Sequence, residues 1–208
     1  MKEGDVLAKL FGSEARVRLM RLFLVNPVEI FDIQTIVKRI HVGPVAVRKE
    51  IRALLDVGFL RRGTRSVNLD LSRRGKKLKR KKIHGFSLYR NFSFAEELAS
   101  LLASKTPYVR EQLLSGMKSA GKVHLLVIAG CLLGKDINRV DIFLVGDGLK
   151  KSKIEKVLGA IEAQLGKEIV YAFMPTKEFQ YRYGMQDRFI KDLFSHPHEI
   201  LINKLGLG

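Results

Sequence analysis

The stretch GPVAVRKEIRALLDVG, residues 43–58, decides the fold of the first half of the chain. Its initial Gly-Pro pair suits the N-cap and first position of a helix, and its final glycine suits the left-handed residue after the last turn. Residues spaced i, i+4, i+7 and i+8 form one apolar face: Val47, Ile51, Leu54 and Leu55. The opposite face carries Val45, Lys49, Arg52 and Asp56, with Arg48 beside it. We therefore expect a helix that is buried on one side and basic on the other.

A helix divided in this way has two interpretations. Its basic side matches a helix that enters the major groove of DNA, where the base edges lie between walls of phosphate. An ordinary amphipathic helix with a solvated face shows the same pattern. The charge distribution and the segments after the helix favour the first interpretation.

The positive charge of the chain is concentrated in its first half. The 208 residues have a formal net charge of +17. Lys and Arg number 22 against 8 Asp and Glu up to residue 90, and 16 against 13 beyond it. This asymmetry predicts a module that binds a polyanion, joined to a second domain of different purpose. Double-stranded DNA is the expected partner, because the basic run at residues 73–82 lacks the interleaved large apolar residues that binding to a membrane surface requires.

The remaining composition restricts the compartment and the chemistry. The single cysteine, Cys131, excludes a disulfide framework and a zinc site made of cysteines. The N-terminus lacks an apolar signal segment, and the longest apolar run, residues 125–133, is about half a membrane span. The pair His196 and His198 is interpreted as a turn and not as a metal site. We therefore expect a cytoplasmic protein without a metal.

A basic connection between two strands follows the opening helix. Helices are predicted over residues 14–25 and 33–40, with a short extended piece at 28–31 between them. After the helix, segments 59–62, 66–71 and 83–89 look extended, and RRGKKLKRKK (residues 73–82) precedes the last of them. Such a wing would lie along the phosphate backbone and make binding depend on salt. A solvated charged loop is the alternative.

These residues resemble the winged-helix transcriptional regulators. The resemblance is carried by LFGSEARVRLMRLFL (residues 10–24), the proline that follows it, and GPVAVRKEIRALLDVGFLRR (residues 43–62). In that family the third helix enters the major groove and the wing contacts the backbone. The resemblance implies a DNA interface made of Val45, Ala46, Arg48, Lys49, Arg52, Arg61, Arg62, Arg65, Arg73, Arg74, Lys76, Lys77, Lys79, Arg80, Lys81 and Lys82.

Strands and helices alternate in the second half of the chain. Strands are predicted over residues 123–129, 140–145 and 169–174, and a strongly periodic helix ends at Leu165. Two short helices, 178–183 and 187–194, follow, and then a last short element at 199–203 that is either strand or helix. This order predicts layered α/β structure.

The predicted fold class is therefore α+β with two domains. The N-terminal winged helix-turn-helix domain is expected over residues 1–92. A connector helix at 93–106 opens with the capping box Ser93-x-x-Glu96. A small α/β domain is expected over residues 107–208.

The second domain looks like the nucleotidyltransferase fold, which bacterial and archaeal proteins fuse to a winged helix. The resemblance is carried by Gly-Cys at 130–131, RVDIFLVGD at 139–147 and EIVYAFMPTKEF at 168–179. Active members hold Mg²⁺ with two carboxylates spaced Asp-x-Asp on a strand, where both side chains point to one face. They also have a third carboxylate on a neighbouring strand, and a Gly-Ser near the triphosphate.

This sequence departs from that pattern at the chemical centre. Arg139 stands in place of the first Asp and Cys131 in place of the Ser, which leaves Asp141 and Glu168 as carboxylates. We expect Arg139 to pair with Asp141 and the fold to persist without a catalytic metal. The residues of a remaining ligand pocket would be Gly130, Cys131, Arg139, Asp141 and Glu168.

Together these patterns predict a sequence-specific DNA-binding transcriptional regulator. Its second domain would sense a nucleotide or phosphate ligand or form a homo-oligomer, and no cofactor is expected. One alternative is an active Mg²⁺-dependent nucleotidyltransferase that acts on nucleic acid or protein through Asp141 and Glu168. Others are an antitoxin-type protein-binding module, and RNA instead of DNA as the partner.

Overall fold

The chain folds into a mixture of helices and small sheets. A computed structural model describes residues 3–69, 79–102, 106–134 and 138–207. The contacts divide the chain into two compact units. The first unit contains Met1–Ala103 with Ala163–Lys167, and the second contains Ser104–Glu162 with Glu168–Gly208.

Four helices begin the first unit: α1 (Glu3–Leu10), α2 (Glu14–Val25), α3 (Ile33–Ile40) and α4 (Pro44–Asp56). The side chains of Ser13 and Asp32 cap α2 and α3, because each accepts a hydrogen bond from a main-chain N–H three residues on. The helices predicted at residues 14–25, 33–40 and 43–58 are confirmed. No helix was predicted ahead of them, where the structure has α1.

Two long strands follow α4 and pair antiparallel: β1 (Leu60–Leu69) and β2 (Lys79–Leu88), here called the β1–β2 ribbon. The segments predicted as extended at 59–62 and 66–71 are extended where the structure describes them, but they belong to one strand, because the pairing with β2 is continuous over residues 60–69. The prediction that the whole basic run forms a connection is wrong, because its last four residues belong to β2. The candidates Arg73, Arg74, Lys76 and Lys77 lie outside the described residues.

The core of the first unit lies between its helices and the β1–β2 ribbon. Phe23 and Phe31 meet edge to face with ring centroids 5.7 Å apart. The extended piece predicted at residues 28–31 forms one isolated bridge, in which Phe31 and Phe86 exchange two main-chain hydrogen bonds of 2.9 Å. This bridge fastens the ribbon to the start of α3.

The helix α5 (Ala95–Leu102) also packs on this core through Leu98 and Leu102. Nε of Arg21 on α2 donates a hydrogen bond of 2.9 Å to the carbonyl of Leu102. Burial, and then the charge of Arg18, lower the pKa of Arg21. The helix expected as a connector is therefore packed into the first unit over the length that the structure describes.

The second unit contains a four-stranded sheet with helices. Its elements are α6 (Thr106–Met117), β3 (Lys122–Ala129), a 3-10 turn (Gly130–Leu133), β4 (Ile142–Asp147), α7 (Lys151–Leu165), β5 (Tyr171–Met174), α8 (Thr176–Gly184), α9 (Arg188–Ser195) and β6 (His198–Asn203). The strand order is β5-β4-β3-β6. The strands β4 and β5 are parallel, and the other two pairs are antiparallel.

The sequence placed most of these elements correctly. The strands β4 and β5 each begin two residues later than predicted, and the last element is the strand β6. Alternate residues of the central strands pack against α8 and α9. Together they form one apolar cluster that contains Leu125, Val127, Phe143, Val145, Phe179, Ile190 and Leu193. The residues between them on β3 and β4 are also buried, so these two central strands are covered on both faces.

Candidate nucleic-acid interface

The two faces of α4 differ as the sequence predicted. Val47, Ile51 and Leu54 are buried, and Leu55 is half-buried against the same core. The five candidate residues of the helix are all exposed: Val45, Ala46, Arg48, Lys49 and Arg52. Their side chains form one surface, here called the outer face of α4. It carries three cations over two turns.

The acid in the middle of this helix points inward and forms an ion pair. Glu50 is 5% exposed, and its Oε2 accepts a hydrogen bond of 2.8 Å from Nε of Arg16 on α2. Asp56, at the last turn, is the other acid of α4. Glu50 was not among the residues singled out from the sequence. Its spacing from Val47 and Ile51 puts it beside the apolar stripe, and this spacing is a signal from which its burial was predictable.

The outer face of α4 borders a shallow groove of about 500 Å³. The groove is lined by Val45, Arg48, Lys49, Arg52, Ala53 and Asp56. Its basic residues lie in the middle of the helix, and its one acid lies at the C-terminal end. A polyanion would therefore be attracted to the middle turns of α4 and away from its last turn.

A second, larger cleft of about 690 Å³ lies where α3, α4 and the β1–β2 ribbon meet. Its lining consists of Asp32, Ile33, Gln34, Arg48, Arg62, Gly63, Thr64, His84, Gly85 and Phe86. Oγ1 of Thr64 and Nδ1 of His84 are 3.3 Å apart across the ribbon. Arg48 lines both this cleft and the groove on α4, so the two depressions adjoin each other at that side chain.

The ribbon separates the basic candidates that the sequence grouped together. Arg62 lines the cleft, whereas Nε of Arg61 donates a hydrogen bond of 3.3 Å to Oγ of Ser87. Neighbouring residues of a strand point to opposite faces, so Arg61 and Arg65 lie on the face away from Arg62. Lys82 is exposed. Lys79, Arg80 and Lys81 lie in β2, where they continue the basic character of the ribbon.

In the second unit, Asp141 has a structural role. This residue is 7% exposed; its Oδ1 accepts the N–H of Cys131 at 2.7 Å and its Oδ2 accepts the N–H of Val170 at 2.9 Å. A Cβ atom at Gly130 would collide with Oδ1. The carboxylate therefore connects the 3-10 turn and the approach to β5 with the start of β4.

The predicted pairing of Arg139 with Asp141 is wrong. Nε of Arg139 lies 3.3 Å from Oδ2 of Asp192 on α9. Arg139 and Asp141 both precede β4, so they do not share a strand face. The two carboxylate oxygens of Asp141 accept hydrogen bonds from peptide N–H groups instead. Glu168, the other carboxylate candidate, is exposed and lies three residues before β5.

The charged groups near this end of the sheet are largely paired with one another. Arg110 on α6 pairs with Glu199 on β6. Asp192, besides contacting Arg139, lies 3.7 Å from Nδ1 of His196. Over residues 3–69, 79–102, 106–134 and 138–207, no group of three or more His, Cys, Asp or Glu side chains is arranged to hold a metal ion.

Comparison with known proteins gives no relative from which a function can be transferred. No family model matches the chain, no curated protein is significantly similar to it, and no solved structure matches its fold. Within the described part of the chain, no helix is long and apolar enough to cross a membrane.

Proposed function

We propose that this chain is a sequence-specific DNA-binding transcriptional regulator of the cytoplasm, with a winged helix-turn-helix as its first unit. The observation that carries the proposal is the outer face of α4. Its three cations, Arg48, Lys49 and Arg52, are exposed together, while Glu50 of the same helix is buried and paired with Arg16. A solvated face that served only solubility would not require its acid to be hidden.

The dimensions and order of the elements support this proposal. An α-helix with its side chains is about 10–12 Å wide, which matches the major groove of B-DNA at about 12 Å. The helices α3 and α4 are joined by a turn at His41, a left-handed residue with φ 53°. The β1–β2 ribbon then follows α4, as a wing does, and supplies further cations beside it.

The two depressions suggest how the duplex would be held. The groove on α4 would receive base edges, and the cleft lined by Arg48 and Arg62 would receive a stretch of phosphate backbone. Base contacts give sequence preference, whereas contacts to phosphate give affinity that falls as salt rises. Arg48 borders both sites and would link the two kinds of contact.

For the second unit we propose a nucleotidyltransferase-like fold without transferase chemistry. The use of both Asp141 oxygens as acceptors for peptide N–H groups supports this proposal, because a metal ion would compete with those hydrogen bonds. The unit would then serve homo-oligomerisation or the binding of a nucleotide or phosphate ligand. Its formal charge is much closer to neutral than that of the first unit, which agrees with a role other than DNA binding.

Binding of the purified chain to mixed genomic DNA fragments, measured at several salt concentrations with the bound fragments sequenced, tests the proposal. We expect a few sites to be enriched and the affinity to fall steeply with salt. Tight binding without enrichment would contradict sequence-specific recognition. Absence of binding, together with Mg²⁺-dependent transfer from a nucleoside triphosphate, would favour the nucleotidyltransferase alternative.

A further inference from the structure

One apolar side chain stands among the cations of the outer face of α4. Val45 is 78% exposed, the largest exposed fraction of any large apolar side chain among the described residues. It follows Pro44 in the first turn of the helix and lies one turn before Arg48 and Lys49. It also lines the groove that these cations border.

This valine contributes little to the stability of the helix. A β-branched residue is a poorer helix former than most, and the first turn of a helix favours acidic side chains. The first turn of α4 contains no acid, and Gly43 provides no side-chain cap. An exposed valine at this position therefore has a better explanation in recognition than in folding.

We propose that Val45 contacts the C5-methyl group of a thymine in the major groove and so determines one base of the recognised sequence. This inference rests on the proposed function, in which the outer face of α4 enters that groove. The thymine methyl is the apolar group that the major groove presents, and apolar side chains recognise it by contact. A polar or charged side chain at the position of Val45 would not favour thymine in this way.

The spacing along the helix extends the inference to the neighbouring bases. Residues rise about 1.5 Å each along a helix, so Val45 and Arg52 are separated by about 10 Å, or roughly three base pairs at about 3.4 Å each. Arg and Lys side chains most often recognise guanine through its O6 and N7 atoms. We therefore expect a thymine at one end of the contacted bases and a guanine within about three base pairs of it.

Replacement of single thymines by deoxyuridine tests the inference directly, because deoxyuridine lacks only the methyl group. The probe is the duplex enriched from genomic DNA, with each thymine replaced in turn. At one position the wild-type chain should lose affinity about threefold to fivefold, the loss expected for one apolar carbon left unburied. The Val45→Ala variant should lose most of the difference between the thymine and deoxyuridine duplexes at that position, because alanine lacks the two methyl groups that extend toward the base.

The control variant is Val57→Ala. Val57 is also an exposed valine, at 64%, but it lies at the C-terminal end of the same helix. This variant should retain the full difference between thymine and deoxyuridine. Circular dichroism of both variants should match that of the wild type, because neither side chain is buried.

Three results would overturn the assignment. Site-selective binding that no deoxyuridine changes would remove the thymine contact and leave the proposed function in place. A deoxyuridine effect that persists in Val45→Ala would assign the contact to another residue. Absence of site-selective binding by the wild type would overturn the proposed function, and this inference with it.

Discussion

Arg16 on α2 and Glu50 on α4 form an ion pair that joins the two helices. Nε of Arg16 donates a hydrogen bond of 2.8 Å to Oε2 of Glu50, and Nη1 of Arg16 donates one of 3.2 Å to the carbonyl of Phe11. The pair holds α4 against α2 through the buried side of α4, so that the basic face of α4 stays exposed. It also keeps the charge of Glu50 away from the outer face of α4.

The Arg16→Met substitution should destabilise the first unit by about 2–3 kcal/mol, because it leaves a buried carboxylate without its partner. This loss is at or below the low end of the range expected when one partner of a fully buried ion pair is removed, because the Arg16 side chain is partly exposed. Urea denaturation measures the loss. Adding Glu50→Gln to the variant should recover much of it, and a double variant no more stable than Arg16→Met would contradict the pairing.

The Gly85→Ala substitution should detach the β1–β2 ribbon from α3. A Cβ atom at this position would lie 2.7 Å from the carbonyl carbon of Phe31 and collide with the carbonyl oxygen, and the main chain there cannot move without breaking the Phe31–Phe86 bridge. We expect a loss of about 3 kcal/mol or more in the free energy of unfolding, of the size caused by overpacking.

The matched control is Gly63→Ala, since Gly63 and Gly85 are partners in the ribbon. A Cβ atom at Gly63 would meet only the side chain of Ile30, whose terminal Cδ1 is nearest at 2.9 Å and can rotate away. This variant should cost less than about 1.5 kcal/mol. Equal losses in the two variants would argue against the close approach of Phe31 to Gly85.

The Asp141→Ala substitution should destabilise the second unit, because the N–H groups of Cys131 and Val170 lose their acceptors. An unsatisfied buried N–H costs about 1–3 kcal/mol, and these two hydrogen bonds are only partly buried, so we expect a total of about 2–4 kcal/mol in urea denaturation. Arg139→Gln is the control. It breaks only a largely exposed contact with Asp192 and should cost less than about 1 kcal/mol. Wild-type stability of Asp141→Ala would indicate that the carboxylate is kept for chemistry.

Neutralising the basic end of β2 should weaken DNA binding without changing sequence preference. In a variant with Lys79, Arg80, Lys81 and Lys82 all replaced by Ser, the salt slope of log affinity should fall by about 0.9 for each phosphate contact that is lost. Affinity for selected and scrambled duplexes should fall by similar factors. Fluorescence anisotropy at several salt concentrations measures both quantities.

Its control is a variant with the same change in net charge in the second unit. Lys153, Lys156, Lys177 and Lys191 are exposed there, and their replacement by Ser should leave the salt slope close to that of the wild type. If both variants reduce the slope equally, the attraction is a property of the total charge and the ribbon has no special role.

Local sequence signals predicted the helix α4 well. Its ends are marked by Gly43-Pro44 and by Gly58, and the burial of its faces follows from the 3.6-residue period. The burial of Glu50 was predictable from the same period. Its partner Arg16 was not, because the two residues are 34 positions apart and only tertiary packing brings them together.

Long-range contacts explain the predictions that were wrong. The spacing of Arg139 and Asp141 suggested a shared strand face, but Asp141 is directed to the N–H of Val170, 29 residues away. The strand β1 is continuous because it pairs with β2 along its whole length. Residues 63–65 lack the apolar alternation that would have predicted this continuity from the sequence. In each case a partner distant in the chain determined the outcome.

The variant that combines Lys49→Gln and Arg52→Gln tests the central claim, that the outer face of α4 reads duplex DNA. Its affinities for the selected duplex and for a scrambled duplex of equal length are compared with those of the wild type. Each base contact is worth about 1–3 kcal/mol of discrimination, so the ratio of the two affinities should fall at least about tenfold. The variant Lys153→Gln with Lys156→Gln, which removes the same charge from α7, should keep the wild-type ratio. An unchanged ratio in the α4 variant would contradict the account.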